Sequence, residues 1–94
     1  MIKTEKHSDF KALYNAALSL KTEEECRIFF EDICTIKELE TMSQRLDVAK
    51  MLIGGATFNE IVAATGASTT TISRVNRCLR YGDGGYKLVL DREK

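Results

Sequence analysis

Apolar residues recur along most of this chain at helical spacing. Phe10, Leu13, Tyr14, Ala17 and Leu18 follow the i, i+3, i+4, i+7, i+8 pattern of one apolar stripe and predict a helix from about Asp9 to Leu20. A second helix follows Thr22, with Cys26, Phe29, Phe30 and Ile33 expected inward. Glu23, Glu24 and Glu25 occupy its first turn, where the helix dipole favours negative charge. A short third helix is expected after Thr35, with Ile36, Leu39 and Met42 apolar. A fourth is expected from roughly Ser43 to Ile53, ended by Gly54-Gly55. Beyond them, residues 57 to 81 read as two short helices joined by a turn at Gly66. Past Gly82, Gly84 and Gly85, the apolar run Tyr86 to Leu90 reads as a short helix, with an extended tail as the alternative.

The polar positions punctuate the same elements. Thr22/Glu25, Thr35/Glu38, Thr41/Gln44 and Thr57/Glu60 match Ser/Thr-x-x-Glu/Gln, in which hydroxyl and N3 side chain each serve the other's backbone amide. Each match marks a helix start. Thr35 and Thr41 lie so close together that one of them can mark only a bend. With no proline in the chain, these signals predict an all-α fold.

Residues 57 to 81 carry the chemistry. Gly66 permits a sharp turn, and Ser68 is a natural N-cap. Ile61, Val62, Ile72, Val75 and Leu79 are expected to lock the two helices together, with Phe58 on the same apolar set. Thr65 stands where a strict helix-turn-helix pattern has an apolar residue. The other side of the second helix shows Ser73, Arg74, Asn76, Arg77 and Arg80. This is the layout of a DNA-binding helix-turn-helix, whose second helix lies in the major groove. The helix start with Thr69 and Thr70 suits a phosphate, and Thr70, Thr71 and Ser73 suit base edges. Arg77 and Arg80 suit phosphates farther along. With Asn59, Ser68 and Arg74 these residues form the candidate DNA-contacting set.

Charge qualifies this picture. The chain of 94 residues has a formal net charge of zero, whereas DNA-binding domains are usually basic. Its distribution is uneven. Residues 1 to 56 hold eight basic and ten acidic side chains, residues 57 to 81 hold one acid (Glu60) against three arginines, and residues 82 to 94 balance. Positive charge therefore sits on the second helix of the pair, and any DNA complex should weaken steeply with salt. The zero sum also keeps open a helical protein-interaction module that has lost DNA binding.

Other classes are disfavoured. Cys26, Cys34 and Cys78 lack Cys-x-x-Cys spacing, and the single histidine, His7, lies far from them, so buried reduced thiols are expected and no metal site. Nothing suggests a nucleophile with its base or paired carboxylates, so no enzyme is expected. No signal peptide or membrane-length apolar run is seen, which predicts a cytoplasmic protein with no membrane partner. At 44% apolar and 30% charged, the chain should fold as one domain, with a core small enough to gain from a partner subunit.

Two stretches resemble the Trp repressor superfamily: TIKELETMSQRLDVAKMLIGGATFNEIVAATGAS (residues 35–68) and TTTISRVNRCLRYG (residues 69–82). The GDGGYKLVLD tail (residues 82–91) is similar to the small YerC/YecD-like branch. The resemblance implies a Trp-repressor-like all-α fold in an intertwined homodimer. Residues 1–34 would be dimerisation helices, 35–56 linker helices, 57–81 the helix-turn-helix and 82–94 a C-terminal tail. It implies binding to double-stranded DNA at a near-palindromic operator, with repression as the usual role. It also implies an effector pocket at Arg45, Arg74, Val75 and Cys78. Two arginines around a flat aromatic are chemically sensible there. But Val75 replaces a glycine that makes room for the indole, and Cys78 replaces a serine that orients the ligand's amino group. Tryptophan is therefore not the expected corepressor. Another small molecule, or none, is expected, and no cofactor.

Overall fold

The computed structural model describes residues 9–93. Among these are six helices and no strands: α1 (Lys11–Leu18), α2 (Glu23–Ile33), α3 (Ile36–Ile53), α4 (Phe58–Thr65), α5 (Thr69–Tyr81) and α6 (Gly85–Arg92). They divide between two units, Met1–Ile36 and Lys37–Lys94.

In the first unit, α2 starts as its capping residues dictate. Thr22 is extended, and its hydroxyl accepts from the Glu25 amide at 3.1 Å. The Glu25 carboxylate accepts from the Lys21 amide at 2.9 Å, one residue before the cap, so the pair is not a reciprocal box. On the surface of α2, Arg27 joins Glu24 at 2.6 Å and Glu31 at 3.3 Å. The hydrogen bond from Arg27 holds the Glu24 carboxyl below its ordinary range.

The apolar residues of this unit are not enclosed. Neither α1 nor α2 contains a buried residue. Phe29 and Phe30 are half-buried and meet edge to face, with ring centroids 5.3 Å apart. Cys26 and Ile33, expected inward, are exposed within the single chain. On α1 only Ala17 of the expected stripe is half-buried, while Leu18 is 81% exposed. The physical reason is size: helices of eight and eleven residues have too little surface between them to close a core.

In the second unit, the expected break between a third and a fourth helix is absent, and α3 runs unbroken for 18 residues. The Thr41 hydroxyl, read as a cap, instead donates to the Lys37 carbonyl at 3.0 Å, one turn back inside the helix. Gln44 is likewise not reaching back to a cap: its Nε2 donates to the Thr65 carbonyl at 3.2 Å. No glycine or proline interrupts the segment before Gly54. The helix then closes as predicted. Gly55 is left-handed (φ 91°), its amide donates to the Leu52 carbonyl, and the Ala56 amide reaches back to Met51.

The core of this unit is Val48, Ala49, Ile61, Ala67, Ile72, Val75 and Leu90, flanked by Leu46, Met51, Leu52, Ala56, Leu79 and Tyr86. It draws on α3, α4, the α4–α5 turn, α5 and α6. Ile61, Ile72, Val48 and Val75 are the largest fully enclosed side chains. Each contributes about 1.5–3 kcal/mol relative to exposure. The segment read as a short helix at Tyr86–Leu90 is helical and longer, Gly85–Arg92. Leu90 anchors it in the core, and Lys50 pairs with Glu93 at 3.4 Å.

Candidate nucleic-acid interface

The α4–α5 pair is built from the caps the sequence announces. Thr57 and Glu60 form a full capping box, with Glu60 N–H donating to Thr57 Oγ1 at 3.2 Å and Thr57 N–H donating to Glu60 Oε1 at 2.8 Å. Gly66 closes α4 in the left-handed conformation (φ 74°), where a side chain would be strained. Ser68 caps α5, its hydroxyl accepting from the Thr71 amide at 3.1 Å.

Thr65 suits the turn despite its polarity. Its hydroxyl donates to the Ile61 carbonyl at 2.7 Å and accepts from the Ala67 amide at 3.1 Å. Its carbonyl receives the Gln44 side chain. The hydroxyl thus serves a backbone donor in the turn, and Gln44 ties the turn to α3. Ala67, which the apolar pattern did not single out, supplies the buried side chain of the turn. The signal available was a Thr two residues before a turn residue, a spacing at which hydroxyls commonly bond the backbone.

Of the residues expected to lock the pair, Ile61, Ile72 and Val75 are enclosed and Leu79 is half-buried. Val62 and Phe58 are exposed instead. They lie beside Ile61 at the edge of the apolar face of α4, and only Ile61 of that helix is enclosed.

The outer face of α5 presents Thr70, Ser73, Arg74 and Arg77 around one shallow hollow. Their spacing, i, i+3, i+4, i+7, makes a single strip along the helix. All four are exposed, as are Ser68, Thr69 and Arg80. Asn59 is exposed on the first turn of α4. Two residues of the polar side are drawn inward. Asn76 is half-buried, and so is Thr71, whose hydroxyl accepts from that of Ser68 at 3.2 Å. Among the described residues Arg74, Arg77 and Arg80 form no ion pair, and Glu60, the sole acid between residues 57 and 81, is engaged at the Thr57 amide.

The residues expected around an effector have different surroundings. Val75 is enclosed in the core at 1% exposure. Arg74 borders the outer hollow. Cys78 lines a separate apolar hollow of about 420 Å³ with Leu46, Tyr86 and Val89. Arg45 is half-buried on α3. The cysteines are free thiols, but Cys26 and Cys78 are exposed and Cys34 half-buried, so the expected burial is not found. His7 lies outside the described residues, among which no cluster of His, Cys, Asp or Glu could hold a metal ion. No helix there is long and apolar enough to cross a membrane.

Residues 8–94 match the family described as Trp repressor protein. The chain belongs to the Trp repressor family. The family is one of regulators rather than enzymes. The chain is 56% identical over 82 residues to the uncharacterized protein YerC of Bacillus subtilis (strain 168), a match spanning 87% of this chain and 79% of that protein. A candidate Trp repressor from Staphylococcus aureus, known from its crystal structure, is similar with a TM-score of 0.91 at 44% identity, over 99% of this chain and 93% of that one. A TrpR-like protein from Eubacterium eligens ATCC 27750 gives a TM-score of 0.87 at 52% identity, over 90% and 88%. The all-helical fold expected from the resemblance is therefore the fold found.

Proposed function

We propose that this chain is a sequence-specific DNA-binding transcriptional regulator of the cytoplasm, acting as a homodimer and most simply as a repressor. The observation that carries the proposal is the strip Thr70, Ser73, Arg74 and Arg77, exposed, basic and, among the described residues, free of ion pairs, on the second helix of a helix-turn-helix. Major-groove contact by such a helix needs short polar groups near its start and cations to neutralise phosphates. Ser68, Thr69, Arg80 and Asn59 lie exposed around the strip and complete the proposed contact set. The uncovered apolar side chains of α1 and α2 support the dimer, because a second chain would bury them. Two heads in one dimer would enter successive major grooves about 34 Å apart, at a near-palindromic operator. Tryptophan is not proposed as corepressor: Val75 fills its own site with core packing.

The test is retardation of a duplex carrying the protein's own promoter region, over a salt series and with and without tryptophan. Binding at low salt that falls steeply with added salt, and is indifferent to tryptophan, is the expected result. Arg77→Ala should weaken binding and reduce the salt slope by about one charge. No retardation at low salt would end the proposal. The zero net charge favours one rival, a helical protein-interaction module. Genome-wide binding separates the two, since such a module enriches no DNA motif and co-purifies with a protein partner.

A further inference from the structure

Three arginines project from α5, and their places along its axis are not equivalent. We infer that Arg74 reads a guanine edge and sets the sequence preference of this head, while Arg77 and Arg80 hold phosphates. The inference rests on the DNA-binding reading above and goes beyond it by dividing the arginines between specificity and affinity.

The first argument is position. In a helix-turn-helix the residues near the start of the second helix reach base edges. Arg74 lies one turn beyond Thr70, about 6 Å along the axis, whereas Arg80 lies about 15 Å beyond it. The major groove is about 12 Å wide. A helix whose start points to the groove floor has risen toward the phosphates by Arg80, and Arg74 is still within reach of the bases.

The second argument is the company Arg74 keeps. It borders the shallow hollow with Thr70 and Ser73, both short, and with Arg77, which lies nearly a turn farther along the helix. On the side toward the helix start its neighbours are short and do not hold Arg74 off a groove floor. The third argument is chemical. Among the described residues Arg74 has no ion pair, and Glu60, the one acid of residues 57 to 81, is engaged at the cap of α4. The guanidinium fork keeps its five donors and matches the paired acceptors O6 and N7 of guanine. Thr70, one turn earlier, carries a methyl group suited to a thymine methyl. The 6 Å between them corresponds to about two base steps at 3.4 Å each. The half-site should therefore hold a G·C pair with a T·A pair within about two steps.

The experiment selects binding sites from random duplexes with the full chain and with Arg74→Ala and Arg77→Ala, then measures affinity for the selected site over a salt series. Wild type should select a near-invariant G·C pair in each half-site. Arg74→Ala should lose the preference at that pair alone, with discrimination there falling about ten- to hundredfold. Arg77→Ala should weaken all duplexes alike and leave the motif unchanged. Replacing the guanine by 7-deazaguanine, which lacks the N7 acceptor, should weaken wild type and leave Arg74→Ala unaffected. Circular dichroism checks that the variants fold, and both replaced side chains are exposed. If Arg74→Ala keeps every base preference and merely flattens the salt slope, Arg74 is a phosphate contact and this inference fails while the DNA-binding reading stands. If wild type selects no motif, both fail together.

Discussion

Thr65 shows how one hydroxyl can stand in for an apolar side chain. It joins the Ile61 carbonyl to the Ala67 amide inside a turn whose buried position belongs to Ala67. Thr65→Val keeps the shape and deletes both bonds, leaving the Ala67 amide without its acceptor. The expected loss is about 1–2 kcal/mol, read from urea unfolding. Ser68→Ala should cost about 1 kcal/mol by removing the cap of α5. A Thr65→Val protein as stable as wild type would mean that the hydroxyl does not close the turn. Glu24 gives a pH test. Its carboxyl is held low by the hydrogen bond from Arg27, so the pairing stabilises above the ordinary glutamate range and is lost as pH falls through the lowered pKa. Both groups are exposed, so the effect on stability is slight. NMR titration should find Glu24 below its ordinary value, and Arg27→Ala should restore it.

Among the elements, those carrying a local signal with one physical meaning were legible in the sequence. The Thr57/Glu60 box, the Ser68 cap and Gly66 each act on their own backbone, and each is found as expected. Thr41 failed because a hydroxyl can cap a new helix or bond back into an existing one, and the sequence motif is the same for both. Gln44 failed for a different reason: its partner, Thr65, lies 21 residues away. Val62 and Phe58 misled because α4 has only eight residues, too few for periodicity to fix which edge of its apolar face is covered. The exposed strip of α5 was legible except at Thr71 and Asn76, whose half-burial depends on the fold. The tightest element contact to test is α4 with α5. Ile72→Ala empties a fully enclosed site and should cost about 2–5 kcal/mol, with DNA binding lost in parallel. The measurement is thermal unfolding beside retardation at matched folded fraction.

For the whole molecule, the two units differ in what they enclose. The second builds its own core, to which α6 contributes Leu90. The first leaves Phe10, Leu13, Tyr14, Leu18, Ile28 and Ile33 substantially exposed within one chain. The periodicity of these residues was readable, but their covering was not, since a stripe looks the same whether its own chain or a second one buries it. Light scattering should find a dimer. Leu13→Glu with Tyr14→Glu should give a monomer by placing charge on the stripe. A wild-type monomer at high protein concentration would rule out the proposed assembly. The uncovered stripe has a consequence for dosage. Where two chains must meet before either head is paired, the population of dimer at low abundance varies with the square of the amount of chain. On the proposed function, halving the protein would cut operator occupancy about fourfold, and the unfolding midpoint would climb with concentration. The same exposed leucines and aromatics would thus make the regulator a gauge of its own copy number.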